Sequence, residues 1–240
     1  MDKALRIGQE TLRKLDKLTI HNQWFWDKIK DDIGSRVLEI GCGIGIYTSF
    51  LIDSSELLVS VDIVEDYIKE VESKFTDNRN FKAIRLDIAK DGINYLTSFG
   101  FDTIVCLNVL EHIEDDTKAL KNMYALLNNP GRLILLVPAL HWLYGTLDQS
   151  VGHWRRYHCR ELKHKIETAG FTVKRRLFCN FFGIFGWFVN GKILRREILS
   201  DCLLEFFNKF SSLLLLSDRL FSPFIGMSLL LICEKKEINK

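Results

Sequence analysis

The stretch "VLEIGCGIG", Val37–Gly45, decides how this chain is read. A short apolar run ends in glycines at every second position, with a carboxylate, Glu39, two residues before the first of them. The chain then resumes as "IYTSFLID", so the whole reads as a strand, a tight turn and a helix. That is the first unit of a parallel sheet, and in such sheets ligands bind beyond the carboxyl ends of the strands. Gly41 would let the chain turn sharply, Gly43 would let a ligand approach the backbone, and Gly45 would let the helix pack closely. A dinucleotide turn, G-x-G-x-x-G/A, needs a small residue at position 46, where this chain has Ile46. Its third glycine comes one residue early, and Glu39 would repel a pyrophosphate. The turn therefore suits a ligand without phosphates that carries positive charge.

The pattern repeats outward from there. "LLVSVD" (57–62), "FKAIRLDI" (81–88), "FDTIVCLNVL" (101–110) and "RLILLVP" (132–138) read as four further apolar strands. Helical segments are expected at 65–75 and 115–127, and "NNPG" reads as a turn. "FTVKRRLF" (171–178) and "GMSLLLICEKK" (226–236) read as a sixth and a seventh strand. The expected fold class is α/β: a Rossmann-like three-layer sandwich on a seven-stranded, mostly parallel sheet. Residues 1–35 would form a helical cap, 36–178 the core, 179–225 a helical insertion or lid, and 226–240 the final strand and tail of one structural domain. The aromatic "HNQWFW" (21–26) would either fold over the ligand or anchor the first helix.

Carboxylates recur at the strand ends. Asp62 closes the second strand and can accept two ribose hydroxyls, as strand-two acids do in nucleotide folds. Asp87, in "RLDI", can accept an adenine amine, and Asn108 ends the fourth strand within reach of an amino-acid moiety. S-adenosylmethionine, with its ammonium, sulfonium, ribose diol and adenine, satisfies this set.

Composition bounds the rest. The chain of 240 residues is 47% hydrophobic and 27% charged, with a net charge of +2. That charge is uneven: 153–196 holds eleven Lys/Arg against two Asp/Glu. Such a stretch is either a solvated surface or a face for something acidic. The six cysteines form no C-x-x-C pair, so a reducing, cytoplasmic setting without a disulfide framework is expected. Histidines and cysteines do not repeat at ligand spacing, so no metal is expected. No apolar run reaches the ~18–20 residues of a spanning helix. Peripheral membrane contact is compatible with "KRRLFCNFFGIFGWFVNGKILRR" (174–196), which reads first as a wall of the acceptor pocket, and otherwise as a dimer surface or a membrane face.

"VLEIGCGIGIYTSFL", "VSVDIVEDYI", "RLDI", "FDTIVCLNVLEHIEDD" and "LNNPGRLILLVP" together resemble, in order and spacing, the motif series of class I S-adenosylmethionine-dependent methyltransferases. "LYGTLDQSVGHWRRYHCREL" is similar to a bacterial small-molecule subgroup of that family. The resemblance implies a sheet whose last strand is antiparallel and the cofactor S-adenosylmethionine, released as S-adenosylhomocysteine. It implies cofactor contacts from Glu39, Gly41, Cys42, Gly43, Asp62, Ile63, Asp87, Ile88 and Asn108. Methyl transfer needs alignment and a dry pocket, and a base only where the acceptor is protonated. The long irregular segment after the fifth strand would supply the acceptor end. Its candidates are His153 as base, Arg156 as anion contact and Tyr157, with His112 as second base. His158 and His164 would face solvent. The expected acceptor is a small molecule, a glycan or a lipid-linked intermediate, met by a monomer or homodimer. Alternatives are an RNA or protein methyltransferase, a nucleotide-dependent oxidoreductase, or a non-catalytic S-adenosylmethionine-binding module. No DNA-binding module is present, and no RNA-binding one is appended.

Overall fold

A computed structural model describes residues 3–235, apart from the side chains at 202, 212, 213, 215, 217 and 219. The end of the expected tail, 236–240, and the Cys202 side chain therefore lie outside the described residues.

Two N-terminal helices, α1 (Lys3–Asp16) and α2 (Thr19–Ile29), precede β1 (Arg36–Ile40). Then follow α3 (Thr48–Ser54), β2 (Leu57–Asp62), α4 (Glu65–Lys74), β3 (Phe81–Arg85), β4 (Phe101–Leu107), α5 (Asp116–Leu126) and β5 (Leu127–Pro138). The C-terminal third contains α6 (Thr146–Ser150), α7 (Cys159–Thr168), β6 (Phe171–Cys179), α8 (Gly183–Trp187), α9 (Asp201–Phe221) and β7 (Ser228–Lys235).

The seven strands lie in the order β3-β2-β1-β4-β5-β7-β6. β7 runs antiparallel to both neighbours, and the remaining pairs are parallel. Side chains alternate between two cores because successive residues of a strand point to opposite faces. Leu38, Ile40, Ile104 and Cys106 pack with Leu120 and Met123 of α5 and Leu162 and Ile166 of α7. Val37, Leu58, Val105 and Ile134 pack with Phe25, Trp26 and Ile29 of α2 and Leu51 of α3. Burial on both faces explains why the inner strands are continuous apolar runs.

Three expectations are revised. "NNPG" is not a turn but an extended entry into β5, joined to β4 through a break in register between Phe101 and Thr103. The third and fourth strands stop at Arg85 and Leu107, because Asp87 turns the chain by accepting the Ala89 amide and Asn108 takes a left-handed φ of 54°. The segment after Pro138 is not irregular throughout. It holds a short turn at His141–Leu143 and α6, where the Asp148 carboxylate accepts the Gly145 amide.

Candidate active site

Strand order reverses between β1 and β4, and a cavity of about 780 Å³ opens beyond their carboxyl ends. That position and size are typical of small-molecule sites in open α/β sheets.

One end of the cavity is built by the glycine turn. Gly41, at φ 74°, donates its amide to Val61 O, and a Cβ there would lie 2.2 Å from Val109 Cγ2. Only glycine allows the β1 and β4 exits to meet so closely. Gly45 faces Val71 and Phe75, against α4, as its packing role required. The neighbour of Gly43 is Leu12 of α1, 3.0 Å from where its Cβ would be, so the turn lies beneath the N-terminal helix. Gly43 also donates its amide to Asp62 Oδ2, and Val64 donates to Asp62 Oδ1, so the turn and β2 hold one another. A carboxylate has lone pairs to spare beyond these two bonds. Burial pushes the Asp62 carboxyl up, against the pull of the two amides.

Glu39 is buried, and its Oε2 accepts the hydroxyls of Thr48 and Ser60 at 2.7 and 2.6 Å. Burial raises its carboxyl to about 7, with the two hydroxyls opposing. Asp87, Asn108, Cys42 and Ile88 also line the cavity. Ile63, although apolar, is 61% exposed and faces the same space. All nine expected cofactor residues line the cavity.

The other end is built on Asp148, a fully buried carboxylate with four donors. His153 Nδ1 lies 3.0 Å and Arg156 Nε 2.8 Å from Oδ1, while the Gly145 amide and the Trp187 indole N–H reach Oδ2. Burial opposes its ionisation, but the His153 ring, Arg156 and Trp187 hold it below the usual carboxylate range. His153 Nε2 points to Glu111 Oε1 at 3.8 Å, and its ring stands edge-on to His112 at 4.6 Å. Burial, then the His153 ring, lowers His112 to about 3, so it is neutral. Glu111 is wholly buried, neither oxygen has a hydrogen-bond partner among the described residues, and burial raises it to about 7.

The expected acceptor-end residues separate here. His153, His112 and Arg156 line the cavity. Tyr157 does not: its hydroxyl is buried in the core on Leu110 O and Asp116. Arg156, expected to meet an anion, is already neutralised by Asp148, donates to Ala139 O and stacks on Trp187. His158 and His164 are exposed, as expected, and His158 caps α7. The basic stretch 153–196 is not one face. Arg155 and Lys165 both pair with Asp116, Lys174 with Glu234, and Arg175 with Asp32.

Within 174–196, Cys179, Asn180 and Trp187 line the cavity, whereas Phe182, Phe185 and Phe188 face outward. Most of this stretch is therefore not the pocket wall first expected. Trp24 and Phe25 do line the cavity, beside α1 residues such as Leu5, Leu12 and Leu15. The sequence reading did not name Glu111 or Trp187 as site residues. Glu111 had a signal: like Glu39, it is a carboxylate inside an apolar run.

The methyltransferase domain family model matches residues 12–175, over half the chain. The chain belongs to the methyltransferase domain family. Among curated family relatives, a ubiquinone biosynthesis O-methyltransferase from Coxiella burnetii is 30% identical over 157 residues, 58% of this chain and 64% of that one. The chain thus spans just under two thirds of that relative's length. Its fold is shared with the N-methyltransferase NodS from Bradyrhizobium japonicum, solved with S-adenosyl-L-homocysteine, at a TM-score of 0.59 and 17% identity over 98% of this chain and 100% of that one. Magnesium protoporphyrin IX methyltransferase from Synechocystis, also with S-adenosylhomocysteine, gives 0.56 and 17% over 94% and 85%. No helix among the described residues is long and apolar enough to cross a membrane.

Proposed function

We propose that the chain methylates a small-molecule acceptor, with S-adenosylmethionine as cofactor. The observation that carries this is the set of acids at successive strand ends, Glu39, Asp62 and Asp87, that lines the cavity together with an exposed apolar side chain, Ile63. Such a seat fits a ligand with an ammonium, a diol and a flat base. Glu39 would take the ammonium, Asp62 the ribose hydroxyls and Asp87 the adenine amine. Ile63 and Ile88 would hold the ring, while Gly41, Cys42, Gly43 and Asn108 shape the wall around the amino-acid part. When bound, the cofactor supplies a methyl group on a sulfonium, open to in-line displacement.

The acceptor's reacting group belongs beside His153. Asp148 fixes that ring and turns Nε2 toward the cavity, so Nε2 can take a proton from a hydroxyl. The Coxiella relative, an O-methyltransferase by name, fits oxygen as the acceptor atom. An apolar, lipid-linked acceptor is favoured over an anionic one. Arg156 is committed to Asp148, whereas the exposed Phe182, Phe185 and Phe188 and the exposed Lys192 and Arg195 suit peripheral contact with a lipid surface. The division of the basic residues among separate ion pairs speaks against an RNA footprint. Calorimetric titration with S-adenosylmethionine, S-adenosylhomocysteine and NADH tests the reading. Binding of the first two alone is expected, and Asp62→Ala should weaken it by about 1–3 kcal/mol. Binding of NADH alone, or of nothing, would overturn it.

A further inference from the structure

Glu111, His112 and His153 come from two segments some forty residues apart, yet each offers a ligand atom within 4.8 Å of the others. All three line the cavity. We propose that they bind a divalent transition-metal ion of the zinc type at the acceptor end. This rests on the methyl-transfer reading only for what the ion would meet there.

Three observations carry it. First, Glu111 is wholly buried and both its oxygens lack a partner among the described residues. A buried carboxylate left so is costly unless something it binds completes it. Second, His153 carries the outer partner that orients a metal-binding imidazole. It holds Asp148 through Nδ1, which leaves Nε2 for a ligand. A carboxylate behind the ring sets its tautomer and angle in metal sites. Third, the neighbouring cation is already engaged: Arg156 is paired with Asp148, and no donor among the described residues hydrogen-bonds Glu111.

Two imidazoles and one carboxylate form an N₂O set suited to zinc and its neighbours, with an open position for a substrate or water. Ligand atoms about 2.0–2.2 Å from a tetrahedral ion sit about 3.4 Å from one another, so the 3.8 Å between Glu111 Oε1 and His153 Nε2 needs little contraction. The three ligands line the cavity, so a bound ion would meet an acceptor there. With an ion bound, His153 Nε2 would be a ligand in place of the base, and the ion would supply the acidification of the acceptor hydroxyl, its proton passing to water.

The test uses the full chain, stripped with chelator and titrated with Co²⁺ and Zn²⁺ in the presence of S-adenosylhomocysteine. One ion per chain is expected, with a visible cobalt ligand-field band that lacks a thiolate charge-transfer feature. Glu111→Gln and His153→Ala should each weaken Zn²⁺ binding more than ~100-fold, and Asp148→Asn, which keeps a side chain behind the ring, about 10–100-fold. S-adenosylhomocysteine affinity, read on the same samples, shows that each variant is folded. No uptake by a protein that still binds S-adenosylhomocysteine overturns the site alone. So does uptake that both variants retain, or a cobalt spectrum of cysteine ligation. Uptake without cofactor binding leaves the site standing and overturns the methyl-transfer reading.

Discussion

The two ends of the cavity are built by different means. At the cofactor end each group comes from the end of a strand or the turn after it, and its partners lie in the turn after that strand, the next helix or the neighbouring strand. Asp62 holds Val64 and Gly43, Asp87 holds Ala89, and Glu39 is held by Thr48 and Ser60. At the acceptor end a single carboxylate, Asp148, gathers Arg156 and His153 from its own loop and Trp187 from α8. Glu111, which belongs to the cofactor-side motif series, turns its side chain to this second cluster. The first end is set by backbone geometry and tolerates its surroundings. The second is one buried polar network, in which each member depends on the rest.

Removing the hub should separate the ends most sharply. Asp148→Ala leaves Arg156 buried without its counter-ion and three other donors unpaired. Loss of one partner from a buried ion pair costs about 3–5 kcal/mol. Denaturant unfolding should show a loss of that size, while the folded protein binds S-adenosylmethionine with nearly unchanged affinity. A parallel fall in affinity would mean that the two ends act as one.

A smaller effect is expected from Glu39→Gln. Burial holds the Glu39 carboxyl up at about 7, so it is neutral below that pH and anionic above it. An anion is needed to meet an ammonium, so wild-type affinity for S-adenosylmethionine should rise about tenfold from roughly pH 6 to pH 8, and Glu39→Gln should stay flat. Stability runs the other way. A raised carboxyl stabilises the fold fully below its unfolded value of 4.5, and that contribution is lost as pH rises through about 7. The melting temperature of the wild type should therefore fall relative to Glu39→Gln over this window. An identical pH profile for both proteins would remove Glu39 from the ammonium site.

The smallest effect tests the contact between insertion and network. Trp187→Phe removes one hydrogen bond to Asp148 and keeps an aromatic face for Arg156, so about 1 kcal/mol of stability should be lost. Cofactor affinity should not change. No loss of stability would show that the insertion is not held through Asp148.

The same contrast explains what could be read before the structure. The strands and the glycine turn were legible because they depend on short-range rules: apolar runs buried on two faces and glycines where φ is positive. Tyr157 and Arg156 misled for the opposite reason. Both lie in a loop rich in polar groups, where composition suggests chemistry, but the fold takes one into the core and pairs the other with Asp148. Phe182, Phe185 and Phe188 were read first as pocket wall, with a dimer surface and a membrane face left open, because a stretch with aromatic residues on every face carries no period to orient it.

By itself, the amino-acid sequence determined the layered α/β sheet and the place of the glycine turn at the end of its first strand. These follow from local backbone sterics and from the alternation of side chains along buried strands, which operate over a few residues. Only the tertiary structure decided that Glu111 and His112 meet His153, that Asp148 is the hub they share with Trp187, and that α1 roofs the glycine turn. Those contacts join segments about thirty to forty residues apart. They exist because burial forces polar groups to find partners wherever the fold brings them, and no local rule records which partner that will be.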